Sequence, residues 1–388
     1  MGDLPGIDEA LALVLAHVQR LPLEDVPIAM AAGRVLGEDA RAVTDLPPFD
    51  SSAMDGYALR AADTPGSLSV VGHSAAGRPE RKAVGPGEAV VISTGAVVPA
   101  GADAVVPVEL TSGEVDVAAV AVGENVRPRG GDARAGDVVV AAGSLLGPPQ
   151  VSALAAAGIA TVRCARRPQV AVLATGTELR KPGEQLALGE IYESNSVLLA
   201  AQLGQSGVEA TVLPVVADDP AVTRAALERA LEHDVLITSG GVSVGPHDLV
   251  RATLAELGAT EVFWRVAVKP GKPIAFAVRG DTLVFGLPGN PVSSLVGFEL
   301  FVRPALMALQ GAREAAPEYL PGRLAHSVRR NSQRDQLVRA RREGDQLVPL
   351  SGQDSHMIVR AAAANALVLV PHGDGDLPQG AQVSFLRI

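Results

Sequence analysis

Cysteine is nearly missing: Cys164 stands alone in 388 residues, so no intramolecular disulfide can form. It lies in a Val-Arg-Cys-Ala-Arg run with no histidine or aspartate beside it, which suits inert packing. Aromatics make up only 3%, so the cores must be aliphatic, and a base-stacking surface is not expected. No apolar run approaches the ~18 residues of a membrane span. The acidic start lacks the charged and apolar regions of a signal peptide, so a cytoplasmic protein with no membrane partner is expected. A net charge of −10 argues against nucleic acid as a partner. The seven histidines are scattered, with no H-E-x-x-H and no Cys/His spacing, which argues against a transition-metal site. Lysine is scarce too, with only Lys82, Lys181, Lys269 and Lys272 in a Lys+Arg total of 33.

What is present is a folded globular chain, 47% hydrophobic and 20% charged, of a length that suits about two to three domains. Residues 7–21 have helical spacing, and 66–126 carry short Val-rich runs broken by Gly and Pro, which read as a β-rich module. From 170 onward the pattern alternates: strand 170–173, helix 196–205, strand 211–215, helix 220–232, strand 235–237, helix 248–257, strand 283–285. Such alternation implies a doubly wound parallel sheet, and the near-continuous apolar runs imply strands buried on both faces. A long helix over 292–309 follows, ended by Gly311. The tail, 319–388, returns to short strands and turns and suits a small β-barrel-like module. Its basic stretch, 323–342, reads as a solvated face of β-structure.

Glycine- and proline-marked loops cluster in the α/β segment, at 174–179, 238–248, 269–273 and 286–291. Ligands bind beyond the carboxyl ends of strands in such sheets, so the loops suggest one composite site for an anionic ligand. Gly240 and Gly241 let the backbone turn so that N–H groups converge on a phosphate. Two of the four lysines, Lys269 and Lys272, fall in one proline-braced motif and offer compact positive charge for an oxyanion. Glu178, Asp218, Asp219 and Asp248 are hard oxygen ligands that suit Mg²⁺ shared with a phosphate. A helix cap for Asp248 and a turn for Asp218 explain those two equally well. Residues 241–245 also match G-x-S-x-G, the nucleophile elbow, which would require Ser243 with Asp281 and His326 or His356. Five residues, Thr238 to Val242, separate Ser243 from the strand end at Ile237, so the elbow geometry is poor. Outside this segment, 48–58 pack aromatic, Asp and Gly residues into an irregular stretch. Residues 125–132 set two guanidinium forks beside a carboxylate.

Together these motifs resemble the molybdopterin molybdenumtransferase family, of the bacterial MoeA type and related to the C-terminal domain of gephyrin. The matching blocks run in order through most of the chain: 49–58 (F-D-S-S-A-M-D-G-Y-A), 93–99 (S-T-G-A-V-V-P), 125–132, 175–179, 239–248, 269–273 and 286–293. The resemblance implies an elongated, multi-domain α/β-plus-β chain. An N-terminal linking domain takes 1–45 with 133–166, and a β-rich inserted domain 46–132. A doubly wound α/β molybdopterin-binding domain takes 167–312, and a β-barrel-like domain 317–388.

The activity implied is insertion of molybdenum from molybdate into adenylylated molybdopterin, with Mg²⁺-dependent release of AMP. Asp55, Glu178, Asp218 and Asp248 form the implied catalytic set, with Glu178 and Asp248 as the metal ligands. Thr94, Arg127, Asp132, Ser239, Gly240, Gly241, Lys269, Lys272, Pro288 and Pro291 are the implied substrate contacts. A homodimer with its cleft between subunits is implied, as are transient contacts with the adenylyltransferase and with molybdoenzymes. Arg265 departs from the family, which often has lysine after Phe-Trp. The adenylyltransferase relative typically has T-G-G-T-G where this chain has 239–243, and it lacks the blocks around Asp55 and Arg127. A non-catalytic scaffold is the other alternative, and no partner groove is recognisable in the sequence.

Overall fold

The computed structural model describes residues 4–112, 115–241 and 249–388. At its centre is a six-stranded sheet in the order Ala210–Val212, Val170–Ala174, Val235–Ser239, Thr282–Leu287, Ala275–Arg279, Thr260–Trp264. The first four strands are parallel, and Ala275–Arg279 runs antiparallel to both of its neighbours. Every residue of Val170–Ala174 and Val235–Ser239 is buried. Alternate side chains divide between two cores: Val170, Val172, Val235 and Ile237 pack against Leu199 and Leu203 of helix Asn195–Gln205. Ala171, Leu173 and Leu236 face Leu227 of helix Pro220–Ala230 and Leu254 of helix Leu249–Glu256.

The sheet is therefore mixed rather than wholly parallel. The two extra strands escape a search for apolar runs because Thr260 and Glu261 are exposed, and Val278 and Arg279 are not buried either. Their signal is the Gly280-Asp281 pair: a two-residue hairpin turn sets Arg279 opposite Thr282, with Gly280 at φ +57°.

Helix Ile7–Ala16, which ends before Leu21, buries Ile7, Ala10, Leu11 and Val14 in the α/β core. The linking module has its own core of Val26, Leu36, Leu146, Leu154, Val162 and Cys164, with strand Leu23–Pro27 antiparallel to Thr161–Ala165. Burial pushes the Cys164 thiol up, which agrees with a packing role. The inserted module is a four-stranded sheet, in the order Ser69–Ser74, Glu88–Ile92, Gly56–Leu59, Ala104–Pro107.

In the tail, Leu320–Leu324, Asp335–Glu343, Gln346–Pro349, Ala366–Val370 and Gln382–Arg387 close into a five-stranded barrel. The short strand Val268–Lys269 adds to it, parallel to Asp335–Glu343. One residue of the basic stretch is not solvated at all. Arg339 is 1% exposed, and its guanidinium donates to the carbonyls of Gly352 (2.7 Å), Met357 (2.9 Å) and Asp354 (3.1 Å). A buried cation thus fixes the 350–357 loop through backbone carbonyls, with no carboxylate bonded to it among the described residues. Helix Pro291–Leu309 has the length and mean hydropathy (1.5) of a membrane span, but it is 78% buried, as suits a core helix.

Arg166 and Asp234 tie the linking module to the α/β domain through paired bonds of 2.6 and 2.7 Å. Burial raises the Asp234 carboxyl, but the Arg166 guanidinium and the Gln169 N–H outweigh it, and the carboxyl sits below its usual range. The stability it contributes is therefore complete above the unfolded carboxylate pKa and is lost as pH falls through the lowered folded value. Asp234→Asn should cost about 1–2 kcal/mol at neutral pH. In melting curves, the gap to the parent chain should close as the buffer is acidified below about pH 4.

Candidate functional site

Ala174, Ser239 and Leu287 lie side by side in the sheet, so three buried strands end at one level. The loops leaving them border a cleft of about 670 Å³, within the usual range for ligand sites. Its lining includes Thr175, Glu178, Glu193, Asn195, Asp218, Ser239, Gly240, Gly241, Pro288 and Pro291.

Each side chain is held by a specific local device. Gly176 sits at φ +153°, and a Cβ there would lie 2.7 Å from Glu178 Oε2, so the glycine makes room for that carboxylate. Thr177 Oγ1 donates to Asp218 Oδ2 at 2.8 Å, which orients the second carboxylate. Glu193, 7% exposed, accepts from the Ser196 N–H at 2.9 Å, capping helix Asn195–Gln205 from within the cleft. Gly240 and Gly241 have φ of +87° and +64°. A Cβ on them would meet Thr175 O at 2.8 Å and Val250 Cγ2 at 2.5 Å, so both positions demand glycine. The expected phosphate cradle is narrower than the motif implies, because the Gly240 N–H is committed to Leu287 O at 3.1 Å.

The barrel reaches the rim as well. Val292 N donates to Ser355 O (3.1 Å), and Asn290 Nδ2 to Ser355 Oγ (2.8 Å), which brings His356 and Ile358 into the lining.

The structure brings Glu178, Asp218, Ser239, Gly240, Gly241, Pro288 and Pro291 together. Lys269 instead lines a neighbouring pocket of about 320 Å³, with Arg329, Gln336 and Gln353 between the α/β domain and the barrel. Lys272 is exposed on the same loop. Arg265 holds φ +80°, with its guanidinium 3.9 Å over the Trp264 ring. Asp248 and Ser243 lie outside the described residues. Asp219 caps helix Pro220–Ala230, accepting from Ala221 N and Val222 N, both at 2.9 Å.

Asp55, Thr94, Arg127 and Asp132 are exposed on the inserted module, and among the described residues none from 46–132 lines this cleft. There Asp55 Oδ1 accepts from Thr94 N (2.6 Å) and Thr94 Oγ1 (3.0 Å). Those donors, the backbone N–H foremost, hold its carboxyl below the usual range.

Glu193 and Asn195 are polar lining residues that motif reading misses. A Ser-Asn pair opening an apolar-periodic helix is a legible N-terminus, and it could have pointed to Glu193 and Asn195. The hydrolase reading loses its acid: Asp281 turns the hairpin at the opposite end of Thr282–Leu287, a strand length away from His356. No three His, Cys, Asp or Glu side chains converge as a metal cage among the described residues. One or two carboxylates beside a phosphate-bearing ligand are what Mg²⁺ takes, so the donor set fits that ion.

Comparison with known proteins agrees along the chain. Residues 6–158 match the MoeA N-terminal region (domain I and II), 171–308 a probable molybdopterin binding domain, and 321–388 the MoeA C-terminal region (domain IV). Molybdopterin molybdenumtransferase 2 of Mycobacterium tuberculosis is 37% identical over 377 residues, covering 92% of this chain and 93% of its own. The Staphylococcus aureus molybdopterin molybdenumtransferase is 33% identical over 396 residues, covering 98% and 94%. A MoeA structure from Pyrococcus horikoshii OT3 aligns over 100% of both chains with a TM-score of 0.86 at 30% identity. A second from that organism gives 0.82 at 33%, over 100% of this chain and 99% of its own. Matched in every domain and over nearly its full length, the chain belongs to the molybdopterin molybdenumtransferase (MoeA) family, transferases of molybdenum cofactor biosynthesis.

Proposed function

We propose that the chain transfers molybdenum from molybdate to adenylylated molybdopterin, with release of AMP, in a cleft that a second copy of the chain completes. The observation that carries this reading is the division of the polar groups. Glu178, Glu193 and Asp218 line the cleft, whereas Asp55, Thr94, Arg127 and Asp132 stand exposed on a module outside it. A two-fold dimer that sets one protomer's inserted module against its partner's cleft unites the two sets, twice over. Exposed Ile191, Tyr192 and Val197 beside the cleft support a protein surface there.

Within that frame, Ser239 and the Gly240–Gly241 turn hold the substrate. Pro288 and Pro291 shape the molybdate end, with Lys269 and Lys272 supplying positive charge from the 269–273 loop. Glu178, with Asp248 as the second ligand that the family resemblance implies, would hold Mg²⁺, which would supply positive charge to the pyrophosphate linkage. Asp55, kept ionised by Thr94, accepts a proton from the attacking water. The substrates place the enzyme in the cytoplasm, between the adenylyltransferase that supplies it and the molybdoenzymes that receive its product.

Molybdate-dependent AMP release from adenylylated molybdopterin tests the reaction. Glu178→Gln should lower that rate by about 10²–10³-fold with the melting temperature unchanged; full turnover would remove Glu178 from the site. Asp55→Ala and Glu178→Gln chains should each be inactive alone. After subunit exchange they should recover about a quarter of parental activity, because half the dimers are then hybrids with one intact cleft. No recovery, with hybrids present, would place Asp55 and Glu178 in the same chain's site.

A further inference from the structure

Asn195 opens helix Asn195–Gln205 at 7% exposure, and Ser239 ends its strand at 3%. Asn195 Nδ2 donates to Ser239 Oγ and to the Gly289 carbonyl, both at 2.7 Å. The Gly289 oxygen only accepts, so turning the amide round would set two acceptors face to face, and the orientation is fixed. Both amide hydrogens are thereby committed. Asn195 Oδ1 stays buried with no partner among the described residues. Ser239 Oγ accepts from Asn195, and its own hydrogen has no acceptor among the described residues. All three residues line the cleft.

An acceptor and a hydroxyl donor thus adjoin at the cleft floor, joined through one amide. The acceptor decides what can bind there. Phosphate, pyrophosphate and molybdate oxygens are themselves acceptors, so none of them satisfies Oδ1; an N–H, an O–H or a cation does, and the Ser239 hydroxyl donor joined to it favours a ligand edge that carries a donor beside an acceptor. Resting on the function proposed above, we infer that Asn195 and Ser239 read the pyrimidine edge of the pterin ring. Oδ1 takes an N–H of the 2-amino group itself, and the Ser239 hydroxyl donates to the 4-oxo group on the same edge. The site falls within 171–308, the stretch that matches a probable molybdopterin binding domain. A ring presenting an acceptor to Oδ1 is rejected, because a buried acceptor would then face another with no hydrogen between them. Asn195 thereby becomes a specificity residue, and through Gly289 it also holds the 286–291 loop against the ligand.

The test compares three probes on the full chain: 6-hydroxymethylpterin, the matching lumazine with oxo in place of the 2-amino group, and AMP. Quenching of ligand fluorescence reads the first two, and calorimetry reads AMP. The pterin should bind about tenfold or more tightly than the lumazine. Asn195→Ala should erase that preference, with pterin affinity falling to the level of the lumazine. Equal affinity for the two rings overturns the inference, as does a preference that survives Asn195→Ala. Loss of AMP with pterin retained assigns the edge to adenine and overturns it too. If Asn195→Ala does not fold, the comparison of rings on the parental chain decides alone. A chain that binds AMP but no pterin refutes this inference; one that binds neither refutes the function on which it rests.

Discussion

Three buried strands that end in step are the constraint from which the site follows. With Ala174, Ser239 and Leu287 abreast, the turns at Thr175, Gly240 and Pro288 leave the sheet together and can share one ligand. The register cannot drift, because a slip of one residue would exchange the two faces. Val172 and Ile237 would then point at the helix that Leu173 and Leu236 now meet. Burial of those aliphatics therefore sets where the loops leave the sheet, and hydrogen bonds within the cleft orient the polar groups on them.

Much of this was legible in the sequence because fully buried parallel strands announce themselves as unbroken apolar runs. Residues 170–173 and 235–237 are such runs, and the glycines after them mark turns that no Cβ fits. Strands that share their faces with solvent were less legible. Thr260–Trp264 and Ala275–Arg279 mix exposed and buried positions, and only the Gly280-Asp281 turn betrays them. Helix Ile7–Ala16 was read correctly as a helix but grouped with its sequence neighbours, because spacing shows an apolar face and not what that face meets.

The cleft divides along the same line. Glu178, Ser239, Gly240 and Gly241 lie in marked loops and were found. Glu193 and Asn195 look like ordinary helix-opening residues until their partners on distant loops are seen. Composition alone misplaced Arg339: a basic stretch looks solvated, and only the ring of carbonyls around it explains a guanidinium at 1% exposure. Lys269 and Lys272 were legible as unusual, but the second pocket that Lys269 lines with barrel residues was not.

The strand Val268–Lys269 gives the barrel a second importance. It pairs with Asp335–Glu343, and Leu337, Leu367 and Leu386 of the barrel join the same buried cluster as Val268, Phe276 and Phe301. The gap near residue 315 that looks like a domain boundary in sequence is thus not a thermodynamic one. A chain ending there would uncover both an unpaired strand edge and an aliphatic surface, the two ingredients of edge-to-edge aggregation. The tail acts as a solubility cap on the catalytic domain, so barrels exchanged between relatives must match this seam before any chemistry is compared.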